Sequence, residues 1–310
     1  MHTWTRRSDL GSESRAGGQP AGGGLRRDVR NAIRLMTTNK ESVIGLAIVL
    51  IFVLTAIVIE ASVLLNVQVT PYPANPAPGL ASQPFLPPSL SHPFGTDNLG
   101  RDLLSRVLTA TPYDFMIGFL VVGTAVLIGA LLGGYAGLRG GLLDEFLMRF
   151  TDIFFALPVL LIGMVVGAVL GGGITNMSLA LVIVWWPPYA RLARGEALKV
   201  AHQNYIEASR LSGQKSRSIL IRHIIPNISG TMLVYATLDI GTVILVYSGL
   251  TFLGLGNRPP APDWGQMVAA YNGYVLSDPW LAIIPGLIIS LGVIGFSLLG
   301  DGIKDTLGIR

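Results

Sequence analysis

Long uncharged apolar runs alternate along this chain with short stretches that hold nearly all of its charge. A hydrocarbon core about 30 Å thick is crossed by roughly 20 residues of helix. Six segments meet that test: residues 43–65, 115–138, 150–170, 174–189, 228–253 and 280–299, the fourth being the shortest. The pattern predicts an all-α integral membrane protein with six transmembrane helices. It divides the chain into a cytoplasmic, largely disordered tail (1–42), a first transmembrane helix (43–65), an external connection with an interfacial helix (66–112), a five-helix core (113–303) and a cytoplasmic C-terminus (304–310). Within the core, residues 192–227 form a long cytoplasmic loop.

Small residues recur every fourth position on two of these helices. Ala125, Gly129, Gly133 and Gly137 form one stripe, and Gly163, Gly167 and Gly171 the other. Stripes of this kind let helix backbones approach closely in lipid, so they point to a bundle and not to a site. Pro158, Pro187, Pro188 and Pro285 are expected to interrupt the third, fourth and sixth helices, because proline frees a carbonyl and bends the axis.

Charge decides the orientation. Nineteen of the 22 lysines and arginines fall in the N-terminal tail, the second-to-third and fourth-to-fifth connections and the C-terminus. Arg101, Arg106 and Arg258 alone fall on the opposite side. Basic loops stay in the cytoplasm, so both termini and the loop 192–227 are expected there. This placement explains the net charge of +4 without a nucleic-acid partner. Only 13% of the residues are charged, against about 25% in a soluble domain. Disulfides, thiolate sites and cysteine nucleophiles are excluded by the lack of cysteine, and the four histidines show no metal-ligand spacing. No phosphate-cradling G-x-x-x-x-G-K-[ST] loop is present, so an energy source must lie on another chain.

The loop itself is unusual. Ala197, Ala201, Tyr205 and Ala208 recur near helical spacing, Ser212 and Gly213 supply a turn, and Leu220, Ile221, Ile224 and Ile225 make a second apolar face stopped by Pro226. Two short amphipathic helices around a tight bend are predicted, a shape suited to a groove on a soluble partner.

Glu207-Ala208-Ser209, then Gly213, then Pro226 thirteen residues on, resembles the loop signature of ABC importer permeases, with Ser209 where a second alanine is usual. Arg222 to Asn227, His92 to Asp97, Gly100-Arg101-Asp102 and the run from Phe252 to Gly302 resemble the dipeptide, oligopeptide and nickel branch, and specifically its second permease subunit. The resemblance spans roughly residues 30–310. It implies a type I permease fold and no enzyme activity in this chain. It also implies a homologous permease, two ABC ATPase subunits that use ATP and Mg, an external substrate-binding protein and surrounding membrane lipid. In such a machine Glu207 pairs with a basic group on the ATPase or caps the short helix, Gly213 permits the bend, and Arg210, Lys215 and Arg217 ring the contact. Short peptides are the leading cargo, with nickel complexes and oligosaccharides as alternatives. An ion-coupled transporter or a membrane enzyme would need inverted repeats or clustered catalytic groups that this sequence lacks.

Two further sets of residues are singled out. Asp97, Arg101, Asp102 and Arg106 belong to a turn and short helix at the outer interface. Asp102 and Arg106 stand at i and i+4, and the segment either docks the binding protein or caps the helix ends. Asp239 lies mid-helix, where a carboxylate costs at least ~2.5 kcal/mol, and either lines the path and meets a cationic part of the cargo or joins helices by hydrogen bonding. Asp114, Asp152, Asp301 and Glu60 are read as lying near helix ends, within reach of water.

Overall fold

A computed structural model describes residues 39–77 and 79–308 of the chain, so the expectations for most of the N-terminal tail and for Arg310 lie outside the described residues. The described residues are helical apart from turns and one isolated bridge between Thr96 and Asp102. Helix α1 spans Lys40–Leu64, α2 spans Leu103–Arg139, α3 Gly141–Phe155, α4 Val159–Leu170 and α5 Ile174–Ala201. Then come the short α6 (Asn204–Leu211) and α7 (Ser216–Ile219), α8 (Ile225–Phe252), α9 (Trp264–Tyr271) and α10 (Trp280–Leu307).

Four stretches are long and apolar enough to cross a membrane: Lys40–Leu64, Leu103–Arg139, Ser216–Phe252 and Trp280–Leu307. The pair α3 and α4 passes the same test as one span bent by 85°. The third helix is therefore broken at Pro158, as expected, and the bend there is sharp enough to split it in two. Pro158 cannot donate a backbone N–H and disfavours helical geometry at Leu157, so it becomes the N-cap of α4. Helix α5 is 28 residues long and not the shortest, because its charged turns from Arg191 onward continue the helix beyond the apolar stretch. Pro187, Pro188 and Pro285 sit inside continuous helices.

The first stripe of small residues seats α5 on α2. A Cβ at Gly133 would lie 1.9 Å from the Ala190 carbonyl oxygen, and one at Gly129 would lie 2.4 Å from the Tyr189 Cβ. Gly137 meets Arg194 and Ala197 in the same way. In the second stripe Gly163 and Gly167 pack against Leu250 and Met177, but Gly171 ends α4 with a φ of 86°, and a Cβ there would meet open space. A third close crossing escaped the sequence pattern. Gly45 of α1 lies against the backbone at Leu298 and Leu299, and Gly295 and Gly302 of α10 lie against Ile48 and Ser42. These contacts place the described start of the chain, its described end and the turns after α2 and α5 at one end of the bundle.

The other end, the outer one if the basic residues mark the cytoplasmic face, is closed by a polar cap. The interfacial segment before the second membrane helix is not a separate helix. Asp102 caps α2, accepting from the Ser105 N–H at 2.8 Å, and α2 then runs unbroken through Pro112. The outer connection after α8 contains a helix that proline-rich composition hid. Asp263 caps α9, and the indole of the buried Trp264 donates to the Val107 carbonyl at 3.0 Å. Asp114 is not near a helix end. It lies twelve residues beyond its cap, fully buried, with neither carboxylate oxygen hydrogen-bonded among the described residues.

Candidate functional site

The inner end is built around the bend between α5 and α8. Helix α5 stops at Ala201, and His202 and Gln203 reset the helical phase before α6 begins. That reset moves the apolar face. Ala197 and Ala201 are buried as expected, but Tyr205 is 44% exposed and Ile206 is buried in its place. After the bend, Ile219, Leu220 and Ile224 are buried, whereas Ile221 is exposed. Of the expected pair of short amphipathic helices only α6 stands apart, because α7 runs on through a π turn into α8.

The bend is a Schellman closure. The Gly213 N–H donates to the Arg210 carbonyl at 3.0 Å, and the Gln214 N–H donates to the Ser209 carbonyl at 3.1 Å. Gly213 has a φ of 77°, a conformation that a side chain disfavours, so glycine is needed here for backbone reasons alone. Pro226 does not end the second helix. A π turn over Leu220–Ile224 precedes it, with the Ile225 N–H donating to the Leu220 carbonyl, and the helix continues into α8. Proline at the first positions of α8 loses little, since the widened turn already breaks the regular ladder.

The polar residues of the bend divide by direction. Glu207 lies in the first turn of α6 and is exposed, as are Ala208, Lys215 and Arg217. Ser209 donates its hydroxyl to the Tyr205 carbonyl at 2.8 Å. Arg210 departs from the expected ring of charge. Its guanidinium donates to the Leu138 carbonyl at 2.8 Å and so ties α6 to the C-terminal end of α2. A second tie was not foreseen: Arg194 of α5 grips Asp144 of α3 through both carboxylate oxygens, the Nη2–Oδ2 distance being 2.7 Å. Arg191 pairs with Asp152 through one carboxylate oxygen.

In the bundle, Asp239 sits at the midpoint of α8. Its Oδ2 accepts from the Trp185 indole at 2.5 Å and from the Tyr189 hydroxyl at 2.9 Å. It lines a cavity of about 350 Å³ formed by α4, α5 and α8.

At the outer end, Asp97, Asp102 and Arg106 are buried, and the Arg101 side chain is only 15% exposed. Asp97 accepts from Arg101 Nε at 2.6 Å, from the Tyr271 hydroxyl at 2.8 Å and from two backbone N–H groups. Burial and this carboxylate push the Tyr271 phenol up to about 12. Asp102 pairs with His92 at 2.9 Å and not with Arg106. Arg106 instead donates to Asn75 and to the Ala74 carbonyl, with Asp97 at 4.0 Å. The i, i+4 pair is Asp97 with Arg101. All four side chains are turned inward, where they tie the connecting segments to one another.

The described residues form a helical bundle of membrane-crossing length with a glycine-closed bend between two long helices. Residues 125–308 match the family described as binding-protein-dependent transport system inner membrane component, and the chain belongs to that family of ABC importer permeases. Among curated relatives, the dipeptide transport system permease protein DppC of Alkalihalophilus pseudofirmus is 35% identical over 90% of this chain and 88% of its own. The probable D,D-dipeptide transport system permease protein DdpC of Escherichia coli K12 is 44% identical over 72% of this chain and 75% of its own. The glutathione transport system permease protein GsiD of Escherichia coli O6:K15:H31 is 43% identical over 71% of this chain and 73% of its own.

Proposed function

We propose that this chain is one of two permeases in an ATP-driven importer of short peptides. A homologous permease completes the central path. Two ATPase subunits bind at the end that carries the bend, and an external binding protein delivers cargo at the capped end. Peptide cargo is favoured by the relatives, whose names specify dipeptides, D,D-dipeptides and glutathione. A metal cargo held by this chain is disfavoured, because no cluster of three or more His, Cys, Asp or Glu side chains able to hold a metal ion occurs among the described residues.

The observation that carries the coupling role is the bend itself. Ile206, Ile219, Leu220 and Ile224 face the bundle, Leu211 at the bend is 90% exposed, the backbone is locked by Gly213, and Glu207, Lys215 and Arg217 project outward without salt-bridge partners among the described residues. A rigid, outward-facing helix end suits a groove on a soluble subunit. When ATP closes the ATPases, a docked α6 moves with its groove. Arg210 passes that motion to α2, and the shared backbone passes it to α5 and α8. By the distribution of basic residues, the bend and both termini lie in the cytoplasm.

The test is uptake of a labelled dipeptide into proteoliposomes holding the complete complex, with the binding protein supplied outside. ATP trapped inside the vesicles should drive accumulation, and its non-hydrolysable analogue should not. Accumulation without ATP, or a purified complex lacking an ATPase subunit, would overturn the reading.

A further inference from the structure

Asp239 is an ionisable group that packing does not need. Both of its hydrogen-bond donors, Trp185 and Tyr189, approach the same oxygen, Oδ2. An asparagine carbonyl could serve those two donors equally well, without placing an ionisable group at mid-helix. Oδ1 accepts no hydrogen bond from the described residues, and it is not among the atoms sealed from solvent without a partner. It is therefore open to the cavity that Asp239 lines.

That cavity has the make-up of a cation site. Asp239 is its one charged lining residue, and Trp185, Tyr189 and Tyr235 supply three aromatic side chains. Aromatic rings and one carboxylate attract an organic ammonium by charge and by cation–π contact. A dehydrated divalent metal demands several hard ligands, which the lining does not provide. The volume of about 350 Å³ falls at the small end of ordinary ligand sites, roughly 300–1,000 Å³. Asp239 lies about 20 Å from either end of α8, at the depth where a path through the bundle must pass.

We propose that the Asp239 cavity is a transient binding site for the ammonium group of the cargo peptide, halfway along the path. The identity of the cargo rests on the peptide-importer reading, whereas the cation selectivity of the cavity does not. Two donors held on Oδ2 fix the carboxylate, and Oδ1 meets the passing cation. With a single carboxylate the site attracts a positive group and can release it, as a transport site must.

Thr242 is exposed in the same cavity, and the chain has no cysteine. A Thr242→Cys variant, placed in the assembled transporter with reactive cysteines of the other subunits replaced, reports the local field directly. A trimethylammonium methanethiosulfonate should react at least about tenfold faster than a sulfonate one, corrected for their intrinsic rates, in the nucleotide-free or the vanadate-trapped state. Adding Asp239→Asn should abolish that preference. The same Asn change alone should lower dipeptide uptake while leaving complex assembly intact, and Asp239→Glu should restore part of it. No cationic preference, a preference that survives in the double variant, or no reaction in either state would overturn the site. Cation preference without peptide uptake by the wild type would instead sink the cargo reading and leave the site standing.

Discussion

Asp97 and Glu207 are both carboxylates in connections between membrane helices, and their surroundings are opposite. Asp97 is fully buried at the outer end, held by Arg101, Tyr271 and two backbone N–H groups. Glu207 stands exposed at the inner end, on a helix that buries Ile206, leaves Leu211 exposed and closes its backbone turn at Gly213. The outer charges hold the molecule's own loops over the helix ends. Of the inner charges, Arg210 ties α6 to α2, whereas Glu207, Lys215 and Arg217 have no salt-bridge partner among the described residues. Polarity alone does not distinguish the two; where each group finds its partner does.

That contrast can be broken at either end, and thermal stability of the assembled permease is the common scale. Asp97→Ala should have the largest effect. It strands Arg101 and the Tyr271 hydroxyl and removes the nearest anion to the buried Arg106, a loss of about 3–5 kcal/mol by analogy with broken buried pairs. The expected result is little or no assembled permease in detergent; a normal melting temperature would show the cap to be surface decoration. Gly213→Ala should cost about 1–2 kcal/mol, since a Cβ there meets no atom within 4 Å and only the left-handed backbone is strained. A modest fall in melting temperature is the expected reading, and none at all would mean that the bend is not held at that conformation. Glu207→Lys should leave melting unchanged and still abolish uptake. If that variant instead destabilised the permease as Asp97→Ala does, the two ends would not differ in kind.

Much of the bundle was legible as apolar length, because a bilayer leaves few alternatives to helices. The glycine stripe from Gly129 to Gly137 was legible for the same reason, its spacing being geometric. The breaks were harder. Pro158 and Pro187 are the same residue type on apolar segments, yet one ends a helix and the other does not, because tertiary packing decides what a proline does. The bend at Gly213 followed from local turn chemistry. The buried Ile206 did not, since a two-residue break shifts the helical phase and carries the apolar face with it. The outer cluster was found as a group but not as a pairing. Its partners Tyr271 and Asn75 lie far away in sequence, and no spacing rule reaches them. Arg210 shows the same limit, for its partner carbonyl is 72 positions away.

The most direct test concerns the bend as a plug in a nucleotide-hydrolysing neighbour. Ser212 is exposed beside Gly213, and a Ser212→Cys variant carries the only cysteine in this chain. In oriented membrane vesicles with the ATPase subunits stripped away, a membrane-impermeant maleimide should label it from the cytoplasmic face alone. Restoring the ATPases should protect it. Labelling from the external face, or labelling undiminished by the ATPases, would contradict the account.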